Sequence, residues 1–141
     1  MAAFNKFNQF VEDVAEKVHN LGADTLKVLL TNTAPVATNS VKANLTEITA
    51  GNGYTAGGTA ATISASAQTS GTYKLTLADV VFTASGGSIG PFRYAVLYND
   101  TPTSPADPLI GWWDYGSSIT LADGENFTVD FDATNGVLTL A

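Results

Sequence analysis

Two stretches, "FRYAVLY" (92–98) and "LIGWWDY" (109–115), constrain the fold more than any other part of the chain. Both read as β-strands, rich in aromatic and branched residues. Side chains alternate across a strand. Strict alternation puts Phe92, Tyr94, Val96 and Tyr98 on one face of the first, and Arg93, Ala95 and Leu97 on the other. In the second it puts Leu109, Gly111, Trp113 and Tyr115 opposite Ile110, Trp112 and Asp114. Neither strand has a solvent-like face, and the two tryptophans point in opposite directions. A two-layer sandwich covers only one face of each sheet. These strands therefore need a second cover, from the N-terminal segment, another subunit or a large partner.

The rest of the chain offers few charges. Charged residues make up 13% of the 141, about half the usual ~25%. The polar surface must come from Thr, Ser, Asn and Gly. The net charge is −7, and the six basic residues (Lys6, Lys17, Lys27, Lys42, Lys74 and Arg93) form no cluster. Nucleic acid requires a positive footprint that displaces counterions, and an anionic membrane surface requires the same. Both are excluded as expected partners. With no cysteine there is no disulfide frame, zinc–thiolate cluster or thiol nucleophile. The N-terminal stretch has no signal-type apolar core and no segment reaches transmembrane length, so synthesis and folding in a cytoplasm are expected.

Along the chain, residues 3–21 carry apolar side chains at Phe4, Phe7, Val11, Val14, Ala15, Val18 and Leu21, with Phe10 at the edge of the stripe. That spacing predicts one amphipathic helix, ended by Gly22 as C-cap. Period two then takes over. Strands are predicted at 25–30, 59–68, 73–84 (one long or two short), 92–98, 109–115, 126–132 and 137–141. In "NFTVDFD" (126–132), Phe127, Val129 and Phe131 face inward and Thr128, Asp130 and Asp132 outward. Residues 31–58 read as loop with one helical turn near 45–48, and the Pro-rich run 99–108 as an exposed loop. The expectation is a single mainly β domain: an antiparallel β-sandwich or jelly roll (23–141) with one N-terminal amphipathic helix (1–22). Gly22 and Asp24 permit a sharp turn that folds the helix back as a lid.

Chemistry-bearing groups are sparse. His19 is the only histidine, placed near the helix end where an imidazole faces solvent or favours the helix dipole. The acidic run 123–132 (Asp123, Glu125, Asp130, Asp132) lacks the calcium-loop spacing and reads as a solvated strand face. "ASGGSIG" (84–90) has no phosphate-loop lysine and reads as a hairpin or loop. Triad chemistry lacks material, and Asp114 beside Trp112 and Trp113 is the one suggestion of a sugar site. No enzyme activity, metal or cofactor is expected. Arg93, the only arginine, either pairs with Asp114 within the fold or anchors a half-buried interface by gripping a carboxylate or stacking on an indole. Aromatic residues and arginine dominate interface hot spots. Arg93, Tyr98, Trp112, Trp113, Phe4 and Phe7 are therefore the candidate interface residues of an assembly protein.

Four stretches covering nearly the whole chain carry a resemblance: "FNQFVEDVAEKVHNLGADTLKVLLTNTAPVAT" (7–38), "GGSIGPFRYAVLYNDT" (86–101), "PLIGWWDYG" (108–116) and "TLADGENFTVDFDATNGVLTLA" (120–141). Together they resemble small structural proteins of tailed bacteriophages, most closely the capsid decoration (cement) proteins. The resemblance implies a virion protein on the capsid surface, assembled in the host cytoplasm. Its partners would be the major capsid protein and further copies of itself, as dimer or trimer. A tail, neck or head-fibre component and a carbohydrate-binding jelly roll using Trp112 or Trp113 as a stacking platform are the alternatives. No catalytic residue comes with the resemblance.

Overall fold

The structure, a computed structural model, describes residues 2–141. Its elements in chain order are β1 (Asn5–Lys6), α1 (Gln9–Ala15), β2 (Leu26–Thr31), a 3-10 turn (Lys42–Asn44), β3 (Thr59–Ala61), β4 (Ile63–Thr69), β5 (Thr72–Leu77), β6 (Val80–Thr83), β7 (Ile89–Asn99), β8 (Leu109–Leu121), β9 (Asn126–Val129) and β10 (Leu138–Leu140). The protein is mainly β, its strand pairs all antiparallel, with one α-helix. A five-stranded sheet runs β1-β8-β7-β2-β3, a three-stranded sheet β10-β5-β4, and β6 pairs with β9. The run 59–69 bends from the first sheet into the second. The stretch 73–84, expected as one long strand or two short ones, forms two, β5 and β6. Both β9 and β10 run antiparallel to that stretch.

The main core lies between these sheets. Leu26, Val28, Leu30, Ala95, Leu97, Ile110 and Trp113 of the large sheet meet Leu75, Leu77, Val80, Phe82, Val129 and Phe131. A smaller core lies on the other face of the large sheet, made by Phe7, Leu29, Val96, Tyr98 and Leu109 with Leu45 and Trp112 packed against it. The central strands are thus buried on both sides, as their composition requires. Within the chain, their second cover is not the helix but Phe7 together with the chain's own 32–58 segment. That segment is tied down by Asn8 N–H to Ala37 O (2.9 Å), Leu109 N–H to Ser40 O (3.0 Å) and Lys42 N–H to Asp107 O (2.9 Å). The helical turn expected at 45–48 sits instead at Lys42–Asn44.

Side-chain hydroxyls lock the cover from both directions. Tyr98 on β7 donates to Gly57 O at 2.6 Å. Tyr54 donates to Glu47 Oε2 (2.6 Å) and accepts from Leu30 N–H (3.1 Å). Glu47 also accepts from Gly57 N–H at 2.6 Å, and Thr31 Oγ1 donates to Thr46 O. Burial raises the pKa of both tyrosines, and for Tyr54 the Glu47 carboxylate adds to the effect. Both phenols stay protonated as donors.

The expected helix over 3–21 is not formed. Only Gln9–Ala15 is helical, and Lys17 adopts φ 68° well before Gly22. The reason is visible at Phe4 and Phe7. Three residues apart on a helix they would share a face, but three apart on an extended chain they point oppositely. Phe4 packs on Trp113 (centroids 5.3 Å) in the main core, and Phe7 on Trp112 (4.6 Å) in the outer one. Pairing of β1 with β8 (Asn5↔Trp112, Lys6↔Gly111) holds them there. Two residues that looked like one stripe straddle the sheet. Phe10 and Leu21 do reach the main core, but Val11 is half exposed.

Strict alternation also fails within the two central strands. Register shifts occur between Phe92 and Tyr94 and between Leu97 and Tyr98. Phe92 therefore joins Ala95 and Leu97 in the main core rather than Val96 and Tyr98. Likewise Ile110 shares a core with Trp113, and Leu109 with Trp112. At Leu97/Tyr98 the extra residue lies in β8, which changes face there while Val96 and Tyr98 of β7 keep theirs.

Removing the Tyr98 hydroxyl would strand the buried Gly57 carbonyl. Tyr98→Phe is expected to cost about 1–3 kcal/mol, read as a lower urea midpoint at unchanged slope. A Cβ on Gly111 would fall 2.1 Å from the Phe4 ring and 2.7 Å from Asn5 O. Gly111→Ala is expected to displace β1, seen as faster hydrogen exchange at Asn5–Lys6 while β2 and β7 stay protected.

Candidate functional site

The side of the layers flanked by β8 and β9 carries the most chemically distinctive surface. Between Tyr94↔Asp114 and Phe92↔Ile119 the register gives β8 extra residues, so 115–118 arch out of the ladder. Gly116 takes φ 102°, which a side chain would resist. Asp114 organises this arch. Its Oδ1 accepts from Arg93 Nε (2.8 Å) and Gly116 N–H (2.8 Å), and its Oδ2 from Arg93 Nη2 (3.0 Å). The fork holds the Asp114 carboxyl below the ordinary carboxylate range, helped by the Gly116 amide, and raises the Arg93 guanidinium in return. Arg93 also lies 5.4 Å from the Tyr94 ring centre. Of the two roles the sequence allows for Arg93, the structure shows pairing with Asp114. Both side chains remain more than a third exposed, so the pair organises a surface rather than anchoring a core.

Beside it is a cavity of about 230 Å³ lined by Phe92, Trp113, Tyr115, Phe127, Arg93 and Asp130, among others. Tyr115, 56% exposed, meets Phe127 edge-on at 5.6 Å, and Phe127 meets Phe92 at 5.1 Å. The chemistry is that of an aromatic wall with a charged rim, able to hold a small apolar or ring-shaped group.

The six expected interface residues do not form one surface. Phe7, Tyr98 and Trp113 are buried in the chain's own cores. Phe4 and Trp112 are half-buried, each covering one core. Of the six, Arg93 and Trp113 line the cavity, Arg93 at its exposed rim. Tyr115 and Phe127 were missed there, because the arch that exposes Tyr115 is a register effect.

A second cluster was also missed. His19 is buried, not solvent-facing, and so is Asp13. Asn99, with no exposed surface, donates from Nδ2 to His19 Nδ1 (3.1 Å) and Asp24 Oδ2 (2.7 Å), while its Oδ1 accepts from Thr101 N–H (3.1 Å). Those contacts fix the amide and make His19 Nδ1 an acceptor, so the proton of the neutral ring sits on Nε2. That Nε2 and Asp13 Oδ2 are buried without hydrogen-bond partners. A histidine at a helix end gives no sequence sign of this; its one hydrogen-bond partner, Asn99, comes from 80 residues away.

The acidic run is absorbed by turns. Asp123 accepts from Gly86 N–H (2.9 Å), Glu125 from Ala122 N–H (2.7 Å), and Asp132 from Thr134 and Asn135 N–H (both 2.8 Å). No group of three or more His, Asp or Glu among the described residues has metal-holding geometry. No helix among them is long and apolar enough to cross a membrane. Comparison with protein-family models, with curated proteins and with solved structures finds no match.

Burial lowers the His19 pKa from 6.5, opposed in smaller measure by the Asp13 and Asp24 carboxylates. The unfolded chain therefore takes up this proton first. Stability is expected to be level above about pH 6.5 and to fall as the pH drops through that value towards the depressed native one. The native carboxylates with lowered pKa act only at more acidic pH. His19→Gln should flatten the dependence of Tm on pH between about 7.5 and about 5.5. An unchanged slope would show that His19 does not titrate with unfolding.

Proposed function

We propose that this protein is a virion structural protein of a tailed bacteriophage, a decoration protein that binds the outer capsid surface and stabilises contacts between capsomers. The observation that carries the reading is the resemblance of residues 7–38, 86–101, 108–116 and 120–141 to such proteins. The physical character of the chain supports it. Its surface is polar but sparsely charged, and can be covered without desolvating many ions. The bent run 59–69, which passes from one sheet into the next, supports a jelly-roll reading of the fold. A protein that binds only the mature shell stabilises it by mass action, and many weak copies add through symmetry. The partners proposed are the major capsid protein and further copies of this chain, with no catalytic role.

The test is the stoichiometry of the chain in purified particles. Quantitative mass spectrometry should find it in amounts comparable with the major capsid protein. Particles stripped of it should release DNA at lower temperature and regain stability when it is added back. A copy number of one ring per particle would move it to the neck or tail. Its absence from particles would remove the virion reading. The aromatic cavity at Tyr115 and Phe127 favours a second reading, carbohydrate binding at that rim. Under that reading Tyr115→Ala abolishes glycan retention while leaving Tm unchanged.

A further inference from the structure

The strand β4 ends its sheet, and its outer edge has no backbone partner among the described residues. Its neighbour β5 is joined to it through Ser70 and Gly71, both at positive φ (51° and 86°), between the paired Thr69 and Thr72. That is a two-residue primed turn, whose flanking residues exchange both ladder hydrogen bonds. The pattern alternates from there. Thr69, Ala67 and Ala65 bond to β5, while the N–H and C=O groups of Gln68 and Ser66 point out to the free edge.

Sheet edges are normally blunted by brevity, charge or interruption. The others here are, β3 by its length of only three residues. Strand β1 has two residues, one of them Lys6. The edge formed by β9 and β10 is broken between Val129 and Leu138 by a turn carrying Asp130 and Asp132. Beside β6, Ser85 N–H bonds Asn52 O. By contrast β4 contains no charged residue and no proline, and neither does any of 59–69. Its one irregularity lies between Ile63 and Ala65, which leaves 65–69 regular. The outward row Ala65, Ala67 and Thr69 is exposed and small.

The geometry points to the edge of β4 as a self-association surface, pairing antiparallel with β4 of a second copy. A two-fold axis at Ala67 sets Ala67 opposite its own copy and Ser66 opposite Gln68, which satisfies the outward groups with about four backbone hydrogen bonds. A second copy fits best because the edge is electrically neutral in a chain of net charge −7. Two such chains meet there without opposing carboxylates, and the small side chains tolerate their own images. Five regular residues bury much less than the roughly 1,200 Å² of a stable interface. The pair is therefore transient in dilute solution and becomes populated where copies are held side by side. The surface stands independently of the decoration role, since it is tested on the isolated chain.

Because the chain has no cysteine, a single introduced thiol reports the contact. The variants are Ala67→Cys on the edge and Val81→Cys, half exposed on β6, as a control. Under mild oxidation Ala67→Cys is expected to form the inter-chain disulfide at least about tenfold faster than Val81→Cys. Adding Gln68→Pro removes an outward N–H, and with it the side-chain bond from Gly71 N–H (3.1 Å), while leaving the backbone bonds to β5 in place; it should return Ala67→Cys to the control rate, with circular dichroism unchanged. Equal rates for the two cysteines in folded protein overturn the proposal and leave the edge for a strand of a different protein. Fast cross-linking that survives Gln68→Pro also overturns it, since the contact would then not be strand pairing.

Discussion

Everything in this structure depends on burying both faces of the β7–β8 hairpin. Val96 and Leu97, adjacent in sequence, are both fully buried, on opposite sides of the same sheet. Water must be excluded twice from one layer of backbone. The main core does this by sheet packing. The outer core does it with a segment of little regular structure. Irregular backbone carries polar groups that a buried position cannot leave unpaired. Hence the density of bonds around it: Tyr98 to Gly57, Glu47 to Tyr54 and Gly57, Thr31 to Thr46. Glu47 also lies 3.8 Å from Lys42.

The same demand explains the N-terminus. Strand β1 is too short to add much ladder energy. Its contribution is to hold one phenylalanine on each side of the sheet edge, where Trp113 and Trp112 would otherwise be wetter. Gly111 makes this possible, because Phe4 lies where any larger residue would put its Cβ. The helix that follows closes the end of the main core through Phe10, and the chain then turns back through the buried His19–Asn99–Asp24 contacts.

Much of the fold was legible in the residues. The strands at 25–30, 92–98 and 109–115 are present, within longer limits for the last two. Val129 and Phe131 face inward as alternation requires. The demand for a second cover followed from composition alone. Its identity did not, because residues 31–58 have the Thr, Asn and Gly content of a surface loop, and Leu45, Glu47 and Tyr54 are the few side chains in it that tie it down, beside its backbone bonds. The helix was overread because spacings of three and four are compatible with a helix, yet equally with a strand, a turn and a short helix in succession. Face assignments failed wherever a bulge intervened. A bulge is a property of two strands in register, and one strand's sequence records it only indirectly, as at Gly111 and Gly116. The site was less legible than the fold for the same reason. Arg93 and Asp114 were seen as a possible pair, but the cavity beside them depends on the arch that their pairing holds.

The covering segment leaves the large sheet at Thr31 and re-enters it at Thr59, so both its ends are anchored by strands of the sheet it protects. It therefore behaves as a tethered ligand for its own binding groove. Its local concentration is set by the tether and not by the solution, and closing a loop of this length costs only slowly more as residues are added. A chain organised this way can exchange or lengthen the outward-facing part of the cover, between its few tying residues, while keeping the groove filled. The outer surface is thereby uncoupled from the requirement that the sheet beneath it stay dry.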